Sequence, residues 1–242
     1  YGDHFLLGGA GNVRAFKMVA HGAGFKREGD HVPIQGLGWQ VLTSTFSPDG
    51  RLFFTLWKPR GNRSQLWALQ AEKETAAMVE VKSLLAKGFS AYKVDQLLPF
   101  LGHADRRIRL QAQFALVARK GTKALRAKAT DARTELLPRL HALWGLGQLK
   151  SRDRDLLKLL CQDKNAEMRA QAARWAGDLG FDPDNLVPVL LGDPSPRVRL
   201  MAAIACGKLK SRNALESLIE LIVEADNKKP VLRHAGVSGL AS

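Results

Sequence analysis

The side chains in this 242-residue sequence whose types could carry chemistry are six histidines, two cysteines and a regular series of arginines. A helical zinc site needs two histidines four residues apart with a glutamate between them as base. His4, His21, His31, His103, His141 and His234 contain no such pair, so no metal ligands are assigned. His141 and His234 stand just past arginines of the series and read as packed or solvated groups. Cys161 and Cys206 fall in apolar helical positions 45 residues apart, which suits core packing better than a disulfide or a reactive thiol. They leave the redox compartment undecided. The segment GGAGNV at residues 8–13 has the look of a dinucleotide loop, but the final glycine is absent and no βαβ unit follows. There is no Gly-x-Ser-x-Gly elbow, no phosphate-binding loop and no Cys-x-x-Cys-His for covalent haem. Catalytic and cofactor-binding residues are therefore not assigned in this sequence.

The arginines point instead to the elements that carry them. Arg109, Arg139, Arg169 and Arg199 stand thirty residues apart, and Arg233 follows after thirty-four. Three residues beyond each comes a small side chain (Ala112, Ala142, Ala172, Ala202 and Gly236), and seven beyond comes Leu116, Leu146, Ala176, Cys206 or Leu240. Spacings of three and seven lie on one helical face. A shorter apolar helix precedes each, as in VDQLLPFL, DLLKLL, DNLVPVLL and LESLIELI; the one before Arg139 falls only roughly within residues 122–132. The unit is a helical hairpin of about thirty residues that buries its apolar face only by stacking on its neighbours.

The segment at 190–209, LLGDPSPRVRLMAAIACGKL, resembles a HEAT repeat at Asp193, Pro194, Val198, Arg199 and Ala202. LLCQDKNAEMRAQAARWAGDL is similar at Asp163, Met168, Arg169 and Ala172, whereas His103 stands where the first unit would carry its aspartate. The resemblance implies a HEAT-like α–α superhelix over 92–242, with about five hairpins. It also implies that these aspartates and arginines bridge within or between hairpins, for example Asp163 with Arg169 and Asp193 with Arg199. On that reading Arg199→Ala lowers stability and leaves surface binding unchanged.

Residues 1–70 read differently. FLLGGAGNVRAFKMV holds two extended runs about a glycine-rich turn, GAGFKREGDHVPIQGLG reads as a loop, and WQVLTSTF and RLFFTLW flank the turn SPDG. After the loop KPRGNRS comes QLWAL. Four short strands separated by turns look like one propeller blade or a small antiparallel sheet. Residues 71–91 read as a connecting helix with Ala77, Val81, Leu84 and Leu85 as its stripe and Gly88 as its C-cap, covering the first hairpin.

The order HFLLGGAGNVRAFKM, TFSPDGRLFFTLW, QLWAL, followed by RLHALWGL at 139–146, resembles the PVC-type haem-binding, membrane-bound dehydrogenase proteins of planctomycetes and their relatives. That resemblance implies the last blade of a sorbosone-dehydrogenase-like propeller joined to HEAT repeats, a periplasmic or cell-envelope setting, and haem or quinone elsewhere in a parent protein. Carboxylates common in that family are replaced here by Thr43, Thr45 and Leu56, while Asp49 is a turn residue first. The start YGDHFLLGG, without an initiator Met, reads like a fragment of something longer.

Net charge is +14, with 8 basic against 4 acidic residues in 1–70 and 29 against 19 in the rest. This permits an anionic partner, and equally a soluble, highly solvated array. No run of eighteen apolar residues exists to span a membrane. The function expected is a non-catalytic protein-interaction scaffold within a larger dehydrogenase-like protein. The alternative is a nucleic-acid-binding array related to helical DNA glycosylases, for which Trp144 and Trp175 would be groove residues rather than core.

Overall fold

The computed structural model describes residues 5–58 and 63–242. His4 and the centre of the loop at 59–62 lie outside the described residues. The chain divides into two compact units, Tyr1–Ala20 with Phe25–Ala91, and His21–Gly24 with Tyr92–Ser242.

In the first unit, β1 (Phe5–Gly9), β2 (Asn12–His21) and β3 (Gly24–Ile34) form one three-stranded sheet, and β4 (Gln40–Phe46), β5 (Leu52–Lys58) and β6 (Arg63–Leu69) form a second. The stretch expected to loop between residues 22 and 38 is largely β3. Its run KREGDH lacks an apolar alternation because its side chains are exposed. Backbone pairing with β2 and the Arg14–Asp30–Arg27 ion cluster hold the strand. The core is small: Val13, Val41, Phe54 and Leu56, with Trp39 and Leu52 packed against it. β1 and β4 approach closely because Gly8 has no side chain; a Cβ there would come within 2.6 Å of Val41 Cγ1.

The SPDG turn forms as its composition predicts. Gly50 N–H donates to Ser47 O at 3.0 Å, and Gly50 takes the left-handed φ of 83° that glycine tolerates. Asp49 accepts from Arg51 Nε at 2.8 Å and from the Ser47 hydroxyl, and these bonds hold its carboxyl well below the usual range. α1 (Ala76–Lys87) follows, capped by the Thr75 hydroxyl and ended by Gly88 at φ 69°. Of its expected stripe only Val81 is fully buried.

The second unit is built from helices in two layers. The first layer holds α2 (Val94–Leu97), continued by a 3-10 segment Leu98–Gly102; α4 (Thr122–Thr130); α6 (Arg154–Cys161); α8 (Leu186–Val189), continued by Leu190–Gly192; and α10 (Leu215–Ala225). The second layer holds α3 (Arg106–Ala118), α5 (Leu136–Gln148), α7 (Ala166–Leu179), α9 (Pro196–Leu209) and α11 (Pro230–Ala241). Pro99 explains why α2 is short: it removes the donor that the next α-turn would need, and the chain continues as a tighter 3-10 turn. α8 passes into a 3-10 turn in the same way, with Pro188 in its first turn, where no intrahelical donor is lost. The first four second-layer helices end alike: Lys120, Lys150, Gly180 and Lys210 all adopt left-handed φ between 52° and 57°. The next residue in each case donates back into the helix, as Ser151 N–H does to Leu146 O at 3.1 Å, which is the Schellman closure.

The small residues of the repeat lie where helices touch. Ala112, Ala142, Ala172 and Ala202 are wholly buried, as are Leu116 and Leu146, whereas Leu240 in the last turn of α11 is 40% exposed. Closer still are glycines. A Cβ on Gly177 of α7 would lie 2.9 Å from Ala205 Cα of α9, and one on Gly239 of α11 would lie 2.5 Å from Ala203 O. Backbone cannot move aside cheaply, so Gly177→Ala is expected to cost ~1–3 kcal/mol through overpacking. Urea unfolding measures this directly, and a neutral result would mean that α7 and α9 separate without penalty.

Candidate functional site

The repeat arginines do not pair as their spacing within one hairpin suggests. Arg169 Nε and Nη2 donate to the Asp193 carboxylate at 2.7 and 2.9 Å, and Arg139 holds Asp163 through Nη1 and Nη2. Each partner therefore lies 24 residues ahead, in the loop of the next hairpin, instead of six behind. The expected pairings of Asp163 with Arg169 and of Asp193 with Arg199 are corrected accordingly. What Arg169 takes from its own loop is backbone: Nη1 donates to Asp163 O at 2.7 Å. Arg139 takes Ala129 O at 3.0 Å. The aspartates are already turned toward the previous hairpin by their own loops. Asp163 Oδ1 accepts from Asn165 N–H, and Asp193 Oδ1 from Ser195 N–H, both at 2.8 Å.

At the ends of the series the partner changes. His103, standing where an aspartate would, plays the same local part: its Nδ1 accepts from Asp105 N–H at 2.9 Å. Arg109 takes His103 O and Ala104 O, and with no carboxylate ahead it donates from Nε to His141 Nε2 at 3.1 Å. The longer last hairpin displaces the loop that Arg199 would reach. Arg199 binds the half-exposed Glu224 at 2.6 Å, and its buried Nε has no acceptor among the described residues. Arg233 turns back to Asn227 in its own loop.

His141 is buried and doubly engaged. Its Nε2 accepts from Arg109 and its Nδ1 lies 2.8 Å from Gln113 Oε1, so the neutral tautomer with the proton on Nδ1 satisfies both contacts. Gln113 passes the chain on to Gln148 at 3.2 Å. Burial, and then the Arg109 charge, lower the His141 pKa to about 4. A second chain runs from Trp144 Nε1 to Gln171 at 3.0 Å, and from Gln171 to Glu167 at 2.8 Å. Glu167 in turn meets Arg197 at 3.4 Å.

These chains underlie an exposed face that periodicity alone did not single out. Phe114, Trp144, Arg174 and Ile204 recur every thirty residues on α3, α5, α7 and α9 with their side chains at the surface. Trp175 is buried as expected, but Trp144 is 36% exposed, its ring edge-on to His141 at 4.9 Å. It sits two residues beyond the buried Ala142, about 200° around the helix, which turns it outward. Charges on this face alternate in sign: Arg197 meets Glu167, and Lys208 and Arg174 share Asp178. The arginines that a phosphate-binding groove would need are mostly engaged by carboxylates. The signal that could have found this face is the residue five beyond each repeat arginine, apolar in three of the five repeats.

Cys161 and Cys206 are buried free thiols, both pushed up to about 12 by burial and then by the charge of Asp182. Among the described residues no group of histidine, cysteine and carboxylate side chains could hold a metal ion. No helix among them is long and apolar enough to cross a membrane.

A family profile described as HEAT repeats matches residues 154–241. No curated protein matches the chain. The likeness to PVC-type, membrane-bound dehydrogenase and haem-binding proteins is corrected. Only the repeat region finds support, and the strands of the first unit form two separate three-stranded sheets that do not close into a propeller. The chain is mainly α, and its helical region is built of HEAT-like repeats.

Proposed function

We propose that the helical array is a non-catalytic protein-interaction scaffold. The observation that carries this reading is the exposed row Phe114, Trp144, Arg174 and Ile204 on a framework locked from behind by buried arginine–aspartate pairs. Repeat arrays of this kind work as surfaces, each hairpin adding one strip of side chains. A rigid strip binds without first having to be ordered, which preserves affinity. Apolar and aromatic anchors at a fixed repeat, separated by charges of alternating sign, suit an extended protein segment.

The test is affinity capture from the source cells with the wild-type chain and with a Phe114→Glu/Ile204→Glu variant. Each lost apolar anchor is expected to weaken a direct partner about tenfold or more, with melting temperature unchanged. A partner held equally by both chains would show that this face is not the one used.

A further inference from the structure

The first-layer helices carry two features at opposite ends of the array that complement each other. At one end, a groove of about 600 Å³ runs between α2 and α4. Val94, Leu98, Ala124 and Ala127 give it an apolar floor, and Lys120, Lys123 and Lys128 line its rim, with Arg119 beside them. Asp95 and Asp131 also border it, and Asp131 is occupied by Arg133. Lys123 and Lys128 make no hydrogen bond or ion pair among the described residues.

At the other end, α10 presents Leu215, Ile219 and Val223 to solvent, 54%, 48% and 72% exposed. Their spacing of four makes one stripe, and Glu216 and Glu220 flank it without ion-pair partners among the described residues. An acidic amphipathic helix with an apolar ridge is thus available where a cationic groove with an apolar floor lies elsewhere in the same unit. The two cannot meet within one molecule. α6 and α8 stand between α4 and α10 in the layer, and neighbouring helices pack at ~8–10 Å, so the features are about 25–30 Å apart.

We infer that the occupant of the groove is a second copy of this chain, with α10 of one molecule seated between α2 and α4 of another. The ridge of Leu215, Ile219 and Val223 covers the apolar floor, and Glu216 and Glu220 meet Lys123 and Lys128 at the rim. Helix-in-groove docking of this type draws its affinity from the apolar anchors, and its choice of partner and register from the charges. The surface is on the opposite layer from the Phe114–Ile204 row, so it is independent of the function proposed above.

Sedimentation velocity of the 242-residue chain from micromolar to submillimolar concentration tests this. The wild type should self-associate, and more weakly as salt rises. Glu216→Lys/Glu220→Lys and Lys123→Glu/Lys128→Glu should each weaken association about tenfold or more, with unchanged circular dichroism and melting temperature. Mixing the two variants should restore it, because each then supplies the sign the other has lost. A wild type that stays monomeric throughout, association that survives both reversals, or a mixture that fails to recover would each overturn the inference; in the first case the groove and helix serve some other protein.

Discussion

Arg169→Ala is expected to destabilise the array by about 3–5 kcal/mol, the cost of breaking a buried ion pair and leaving its partner uncompensated. The carboxylate left behind, Asp193, is only 6% exposed, and Arg169 itself 15%. Burial would push the Asp193 carboxyl up, but the Arg169 hydrogen bonds and the Ser195 N–H outweigh it and hold the group below its usual value. Removing Arg169 leaves the burial without the compensation. It also frees Asp163 O and Lys164 O, which accept from the same guanidinium. Arg199→Ala should cost less, because its partner Glu224 is half-exposed and screened by water. Denaturant unfolding of the two variants, with Arg169→Ala/Asp193→Ala closing a double-mutant cycle, measures the difference. A loss below about 1 kcal/mol for Arg169→Ala would place the pair among ordinary surface bridges.

The second large effect is a loss of stability in mild acid. His141 has its folded pKa lowered from 6.5 to about 4. Between those values the unfolded chain binds a proton that the folded chain refuses, so stability is intact above 6.5 and falls as pH drops toward 4. A span of roughly two and a half pH units corresponds to on the order of 3 kcal/mol. Below that range Asp193 adds a further loss of the opposite origin, since its depressed pKa stabilises the fold only while it is ionised. Unfolding free energies at pH 7 and pH 4.5 should differ markedly for the wild type and much less for His141→Gln, which keeps an acceptor for Arg109 but does not titrate. Parallel pH profiles for the two proteins would remove His141 from this role.

The thirty-residue period was legible because three constraints recur together: the arginine, the small residue three beyond it and the apolar residue seven beyond. The partner of each arginine was not. In a thirty-residue repeat an aspartate six behind is also, one unit on, an aspartate twenty-four ahead, and sequence spacing cannot separate the two. Loop geometry decides: Asn165 N–H and Ser195 N–H fix the carboxylates so that they face the preceding hairpin. Trp144 escaped because the period was carried by the buried row, and the exposed row lies two residues, about 200° around the helix, away from it. β3 escaped because a strand with exposed side chains has no apolar alternation to announce it. Gly177 was invisible because its part is to be absent where Ala205 arrives.

The forward reach of the arginines gives the array a direction in time as well as in space. Arg139 and Arg169 are each made before the carboxylate that receives them, by 24 residues of chain. At ~5–20 residues per second, each guanidinium waits about one to five seconds for its partner to be synthesised. A hairpin leaving the ribosome therefore carries an open clasp on its trailing side, and the next hairpin brings the catch. In order of synthesis, each new repeat brings its carboxylate to a neighbour whose arginine has already been made.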